Sequence, residues 1–211
     1  MSDSDRRLLV RYSAGERTNH WIVAIAFVLA ALSGLALFHP ALFWLSNLFG
    51  GGTWTRILHP LLGLIMMLAF VFLAASVWKD NRLQDRDWKW LRQMPDVINN
   101  REEKLPEAGR YNAGQKLLFY VIVACAVGLL LSGIVIWHEY FSMYFPIALI
   151  RLASALHAVS ALVLVCAIIV HVYAAIWVKG SLTAMTRGTV TPGWAWKHHR
   201  AWFRESNRQR R

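Results

Sequence analysis

The sequence predicts an all-α membrane protein, a bundle of four transmembrane helices with both termini cytoplasmic. Three observations predict it. The 211 residues are 56% hydrophobic, with a mean hydropathy of +0.36. Four apolar runs, at residues 19–38, 58–78, 117–137 and 152–178, contain no Asp, Glu, Lys or Arg. Each is long enough to cross about 30 Å of hydrocarbon. The basic residues then divide unequally between the connections. Residues 1–211 read as one integral-membrane domain, with no internal repeat and no soluble domain with its own core.

The first run opens on Thr18-Asn19-His20-Trp21 and ends near Ser33-Gly34-Leu35-Ala36. Small residues there resemble a signal-peptidase site, but the run is longer than a usual signal core, so it is read as a retained span. Gly50-Gly51-Gly52-Thr53 marks a turn before the second run, which begins Leu58-His59-Pro60. A polar loop of about 38 residues follows, broken by Pro95, Pro106 and Gly109. Between the third and fourth runs, Tyr140, Phe141, Tyr144 and Phe145 suit the membrane interface. The fourth run is longer than a straight crossing needs, so it tilts or protrudes. Trp194, Trp196, Trp202 and Phe203, set among Lys197, Arg200 and Arg204, read as an interfacial segment.

Arg6, Arg7, Arg11 and Arg17 precede the first run, nine Lys and Arg lie in the central loop, and eight follow the fourth run. The other two connections hold only Arg56 and Arg151, a division of 21 against 2. By the positive-inside rule both termini and the central loop are cytoplasmic. The net charge of +11 then means topology and contact with anionic lipid rather than nucleic-acid binding. Trp21, Trp78, Trp137 and Trp177 stand at run ends, where an aromatic belt belongs. The lack of carboxylates inside the runs argues against a proton relay.

Within this frame the histidines acquire a meaning. His157 and His171 are fourteen residues apart in one run. That spacing advances a helix by about 21 Å and nearly four turns, so they share a face at two depths. Topology places His20 near the cytoplasmic side and His59 near the outer side. The depth-matched pairs are His59 with His157 and His20 with His171. Two pairs at two depths point to two b-type haems, each held by two imidazoles, which suits electron transfer. There is no Cys-x-x-Cys-His, so the haems are non-covalent, and Cys125 and Cys166 cannot hold an iron–sulfur cluster. Gly34, Gly63, Gly128 and Gly133 admit close packing of a ring or a helix. Arg17, Arg56 and Arg151 suit haem propionates or lipid phosphate. His39 and His138 read as interfacial, and His198 and His199 as surface residues. A haem-free membrane anchor is a different class of reading. An intramembrane zinc site would want three or four converging ligands.

Several segments resemble the cytochrome b (gamma) subunit of respiratory formate dehydrogenase, the cytochrome b556 family. They are Arg11-Tyr12-Ser13-Ala14-Gly15-Glu16-Arg17-Thr18-Asn19-His20-Trp21, Arg56-Ile57-Leu58-His59-Pro60, Gly109-Arg110-Tyr111-Asn112-Ala113-Gly114-Gln115-Lys116, Leu156-His157, and His171-Val172-Tyr173-Ala174-Ala175-Ile176-Trp177-Val178-Lys179-Gly180. The histidine layout alone is shared with cytochrome b subunits of nickel–iron hydrogenases and thiosulfate reductases. The resemblance implies a complex for anaerobic respiration in the bacterial cytoplasmic (inner) membrane. A catalytic alpha subunit with molybdenum or tungsten oxidises formate outside, and an iron–sulfur beta subunit passes electrons on. His59 and His157 are implied to ligate the outer haem, and His20 and His171 the inner one. Asn112, Gly114, Gln115 and His171 are implied to bind quinone. An amide pair at a helix start can donate to a quinone carbonyl, and it can equally cap the helix.

Overall fold

The computed structural model describes residues 8–98 and 106–208. Arg6, Arg7, Arg101, Lys104, Arg210 and Arg211, which contribute to the charge division, lie outside the described residues. In chain order the elements are β1 (Leu9–Val10), α1 (Ala14–Phe38), a 3₁₀ helix (Pro40–Phe49), α2 (Gly52–Val77), α3 (Asp85–Arg92), α4 (Met94–Ile98) and α5 (Ala113–Ile136). A short 3₁₀ turn (Ser142–Tyr144) leads to α6 (Ile147–Trp177), α7 (Ser181–Arg187), β2 (Thr189–Val190), α8 (Pro192–His198) and α9 (Arg200–Arg208).

The four apolar runs are α1, α2, α5 and α6, each long and apolar enough to cross a membrane. Their C-terminal ends fall within one residue of the apolar boundaries, whereas each begins four to six residues early. Local signals outside the apolar runs start α1 and α2. Ser13 and Glu16 form a capping box ahead of α1: Glu16 accepts from the Ser13 N–H at 2.8 Å, and the Ser13 hydroxyl from the Glu16 N–H at 3.2 Å. Before α2, Gly50 and Gly51 turn the chain at φ 85° and 94°, where a side chain would be strained. Pro60 sits inside α2 and offers no N–H to the Arg56 carbonyl. His39 caps the first 3₁₀ helix, its Nδ1 accepting from the Ala41 N–H at 3.2 Å.

Burial in the four long helices is inverted relative to a soluble protein. The buried residues are mostly small, among them Ala26, Ser33, Ala36, Ala69, Ala126, Ser132, Ala153 and Ser160. Many of the large aliphatic and aromatic side chains are exposed, such as Ile25, Leu68, Phe72, Leu131, Leu162, Ile169 and Ile176. Lipid would cover them, and small interfaces let the helix backbones approach.

The chain divides into two compact units. One comprises Thr18–Ala75 and Val121–His171. In it, the Asn19 amide donates to the Ala69 carbonyl at 3.0 Å and ties α1 to α2. A Cβ on Gly128 would lie 2.8 Å from Ser160 Oγ, so glycine permits the closeness of α5 and α6 there.

The other unit takes the described parts of Met1–Arg17, Ser76–Tyr120 and Val172–Arg211. Here β1 pairs antiparallel with β2, Leu9 opposite Val190 and Val10 opposite Thr189. Leu9, Ala184, Val190 and Ala195 form a small core, and Tyr12, Trp194, Trp202 and Phe203 pack on it. The tail that reads as an interfacial segment thus also contributes to a small cluster outside the four long helices. Trp194, Trp202 and Phe203 turn inward, while Trp196 remains exposed. His199 is likewise buried rather than on the surface, with Nδ1 2.9 Å from the Gly109 carbonyl. The apolar residues of this core are scattered over four short elements, so no run announces them.

Candidate functional site

The four span histidines come together two by two within one unit. His59 on α2 faces His157 on α6, with ring centroids 6.2 Å apart. His20 on α1 faces His171 on α6, also at 6.2 Å. Among the described residues no three His, Cys, Asp or Glu side chains converge, so the arrangement offers two-ligand sites rather than a zinc centre.

These pairs fit haem. An imidazole nitrogen bonds a first-row transition metal at about 2 Å, and the ring centroid lies about 1 Å behind it. Two rings on opposite sides of one ion therefore have centroids about 6 Å apart. The surroundings agree. A Cβ on Gly34 would meet His59 Cε1 at 3.0 Å, and one on Gly133 would meet His157 Cε1 at 3.4 Å. His20 Nδ1 is buried without a hydrogen-bond partner, so no hydrogen bond at that atom accounts for the orientation of the ring.

Two serines complete the first pair. Ser33 Oγ lies 3.0 Å from His59 Nδ1, and Ser132 Oγ lies 3.0 Å from His157 Nδ1. Sequence reasoning passed over both. The available signal is a Ser-Gly dipeptide placed 26 residues before His59 and 25 before His157.

Asn112 and Gln115 belong to the other unit, at the start of α5. They form a reciprocal cap. Gln115 Oε1 accepts from the Asn112 N–H at 3.0 Å, and Asn112 Oδ1 from the Gln115 N–H at 2.9 Å. Both amide oxygens are thereby engaged, which leaves the amide nitrogens as donors on a half-buried Asn112 and an exposed Gln115. The space beside Gly114 is bounded by an indole: its Cβ would lie 3.2 Å from Trp90 Cη2. Trp90 was not foreseen. Beside it, Lys116 and Asp87 form a buried ion pair at 2.7 Å, and Lys116 also donates to the Arg82 carbonyl at 2.9 Å.

Electrostatics in this unit centre on two arginines. Arg110 binds Glu16 at 2.7 Å and Asp80 at 2.9 Å. Arg11 is buried among Tyr12, Tyr111, Trp194 and Trp202, with Cζ 4.5 Å from the nearest Trp202 ring centroid. Burial lowers the Arg11 pKa, but a guanidinium keeps its charge. Burial raises the Tyr111 pKa. Burial, helped by the Arg11 charge, lowers that of His199 to about 3, so this imidazole is neutral. Of the arginines matched to propionates or phosphate, Arg17 donates to the Thr186 carbonyl, and Arg56 and Arg151 are exposed.

Residues 11–188 match the prokaryotic cytochrome b561 family. The chain is similar to the formate dehydrogenase cytochrome b556(fdo) subunit of Escherichia coli K12, 44% identical over 95% of this chain and 94% of that one. It is 40% identical to the nitrate-inducible cytochrome b556(Fdn) subunit of the same organism, over 96% and 93% of the two chains. It is 39% identical to the formate dehydrogenase cytochrome b556 subunit of Haemophilus influenzae, over 93% and 83%. With four apolar helices, paired intramembrane histidines and this degree of identity over nearly its whole length, the chain belongs to the prokaryotic cytochrome b561 family.

Proposed function

We propose that this chain is the membrane-anchoring cytochrome b subunit of a formate dehydrogenase complex. It takes electrons from a partner iron–sulfur subunit at the outer face and delivers them to quinone near the cytoplasmic face. Formate oxidation belongs to a partner catalytic subunit containing molybdenum or tungsten. The observation that carries the reading is the repeated pairing of histidines at one separation, 6.2 Å, on helices that share α6. The names of the relatives support the formate link.

His59 and His157 hold the outer b haem, and His20 and His171 the inner one. When bound, each haem supplies a one-electron carrier with no open iron position. The division of 21 basic residues against 2 supports cytoplasmic termini in the bacterial inner membrane. The amide nitrogens of Asn112 and Gln115 donate to a quinone carbonyl, with Gly114 keeping space for the head group.

The test is the purified complex. A pyridine haemochrome assay should give two b haems per copy of this chain, extractable by acid acetone because no thioether holds them. One haem, or none, would overturn the reading. Membranes of the producing bacterium should show a b-type α-band reduced by formate, and deletion of this chain should abolish it.

A further inference from the structure

We propose that Ser33 and Ser132 are positioning residues that set the outer haem at a lower potential than the inner one; this rests on the two-haem reading above. Each serine hydroxyl has one proton. The Ser33 hydroxyl donates to its own helix, with the Leu29 carbonyl at 2.9 Å and the Ala30 carbonyl at 3.0 Å. The Ser132 hydroxyl donates likewise to the Gly128 carbonyl at 2.5 Å. With the proton committed there, Oγ has only lone pairs to offer the histidine. Nδ1 of His59 and of His157 then carries hydrogen and donates it, shared between the serine oxygen and a backbone carbonyl, that of Ala30 for His59 and of Leu129 for His157. That fixes the tautomer in which Nε2 is bare and free to bind iron. A glycine follows each serine: a Cβ at Gly34 would crowd the His59 ring at 3.0 Å, and one at Gly133 would just touch the His157 ring at 3.4 Å.

An acceptor on Nδ1–H strengthens the imidazole as a ligand. A stronger donor favours ferric over ferrous iron and so lowers the potential. The outer pair has two such acceptors. In the inner pair, His20 Nδ1 is buried with no partner, and no serine stands within hydrogen-bond distance of His171 among the described residues. The asymmetry makes electron passage from the outer haem to the inner one downhill, the direction that quinone reduction near the cytoplasmic face requires.

The experiment is a potentiometric titration of the complex, followed at the b-type α-band. Wild type should titrate in two waves. The wave missing in His59→Ala identifies the outer haem and should be the one of lower potential. Ser33→Ala and Ser132→Ala should each move that wave upward, changing its ferric-to-ferrous ratio at fixed potential by about fivefold, as expected for one lost hydrogen bond. The double variant should move it further, and the inner wave should stay. Ser160→Ala, a buried serine on α6 beside Gly128, should move neither. Loss of the outer haem alone from a serine variant also supports the proposal. It is overturned if the outer wave is the higher one, if the serine variants leave it in place, or if they move or abolish both haems together. A wild-type complex without two waves would instead refute the two-haem reading itself.

Discussion

Each span histidine faces one other histidine, and the two pairs share no residue, so their losses should be separable. His59→Ala and His157→Ala should each remove one b haem and leave the other, while His20→Ala and His171→Ala should remove the second. Haem quantitation with the α-band spectrum checks this, and a pattern that coupled His20 with His59 would refute the pairing. Gln115 is a different case, because its oxygen caps α5. Gln115→Ala should keep both haems and cost about 1 kcal/mol of stability through the lost cap. Quinone reduction should slow, and a quinone-analogue inhibitor should bind more weakly. Gly114→Leu should slow it more, because the new side chain drives into Trp90; reduction at the wild-type rate would place the quinone elsewhere. The histidines were legible because imidazole is conspicuous among apolar residues. The serines were not, since a serine inside a span ordinarily satisfies itself on its own helix and carries no further signal.

Among the elements, α3 illustrates what a hydropathy profile cannot see. Eight residues, five of them charged, form a helix held to the start of α5 by the buried Lys116–Asp87 pair. Asp87→Ala would leave the Lys116 charge buried and uncompensated, and breaking such a pair costs about 3–5 kcal/mol. Replacing both, as Asp87→Leu with Lys116→Met, should recover most of that. Thermal unfolding in detergent measures both variants, and an Asp87→Ala midpoint equal to wild type would show the pair to be dispensable. The four spans could be read directly, because an unbroken apolar run permits few alternatives. Their starts could not, since capping boxes extend α1 and α5, a glycine turn extends α2, and α6 runs back past Arg151 to Ile147. The paired strands β1 and β2 are two residues each, below any periodicity that a sequence reveals.

For the molecule as a whole, acid should act first on the unit that buries His199. That ring is enclosed by the Arg11 guanidinium, the Gly109 carbonyl, His198 and the Trp194 ring. Its pKa is about 3 when folded, against an ordinary value near 6.5. An unfolded chain therefore takes up a proton below pH 6.5 that the folded one refuses until about 3. Stability should be complete above pH 6.5 and should fall steadily as the pH drops toward 3. His199→Gln, measured by unfolding midpoints between pH 8 and pH 5, should flatten that slope; an unchanged slope would assign it to other groups. Finally, α6 carries one member of each histidine pair on a single continuous helix of 31 residues. It acts as a ruler whose graduations are peptide bonds. Inserting one residue between His157 and His171 would turn one end by about 100° relative to the other and lengthen the helix by about 1.5 Å. No single site could then be kept without losing the other. The stretch between them can change its side chains freely within apolar limits, but it cannot change its length.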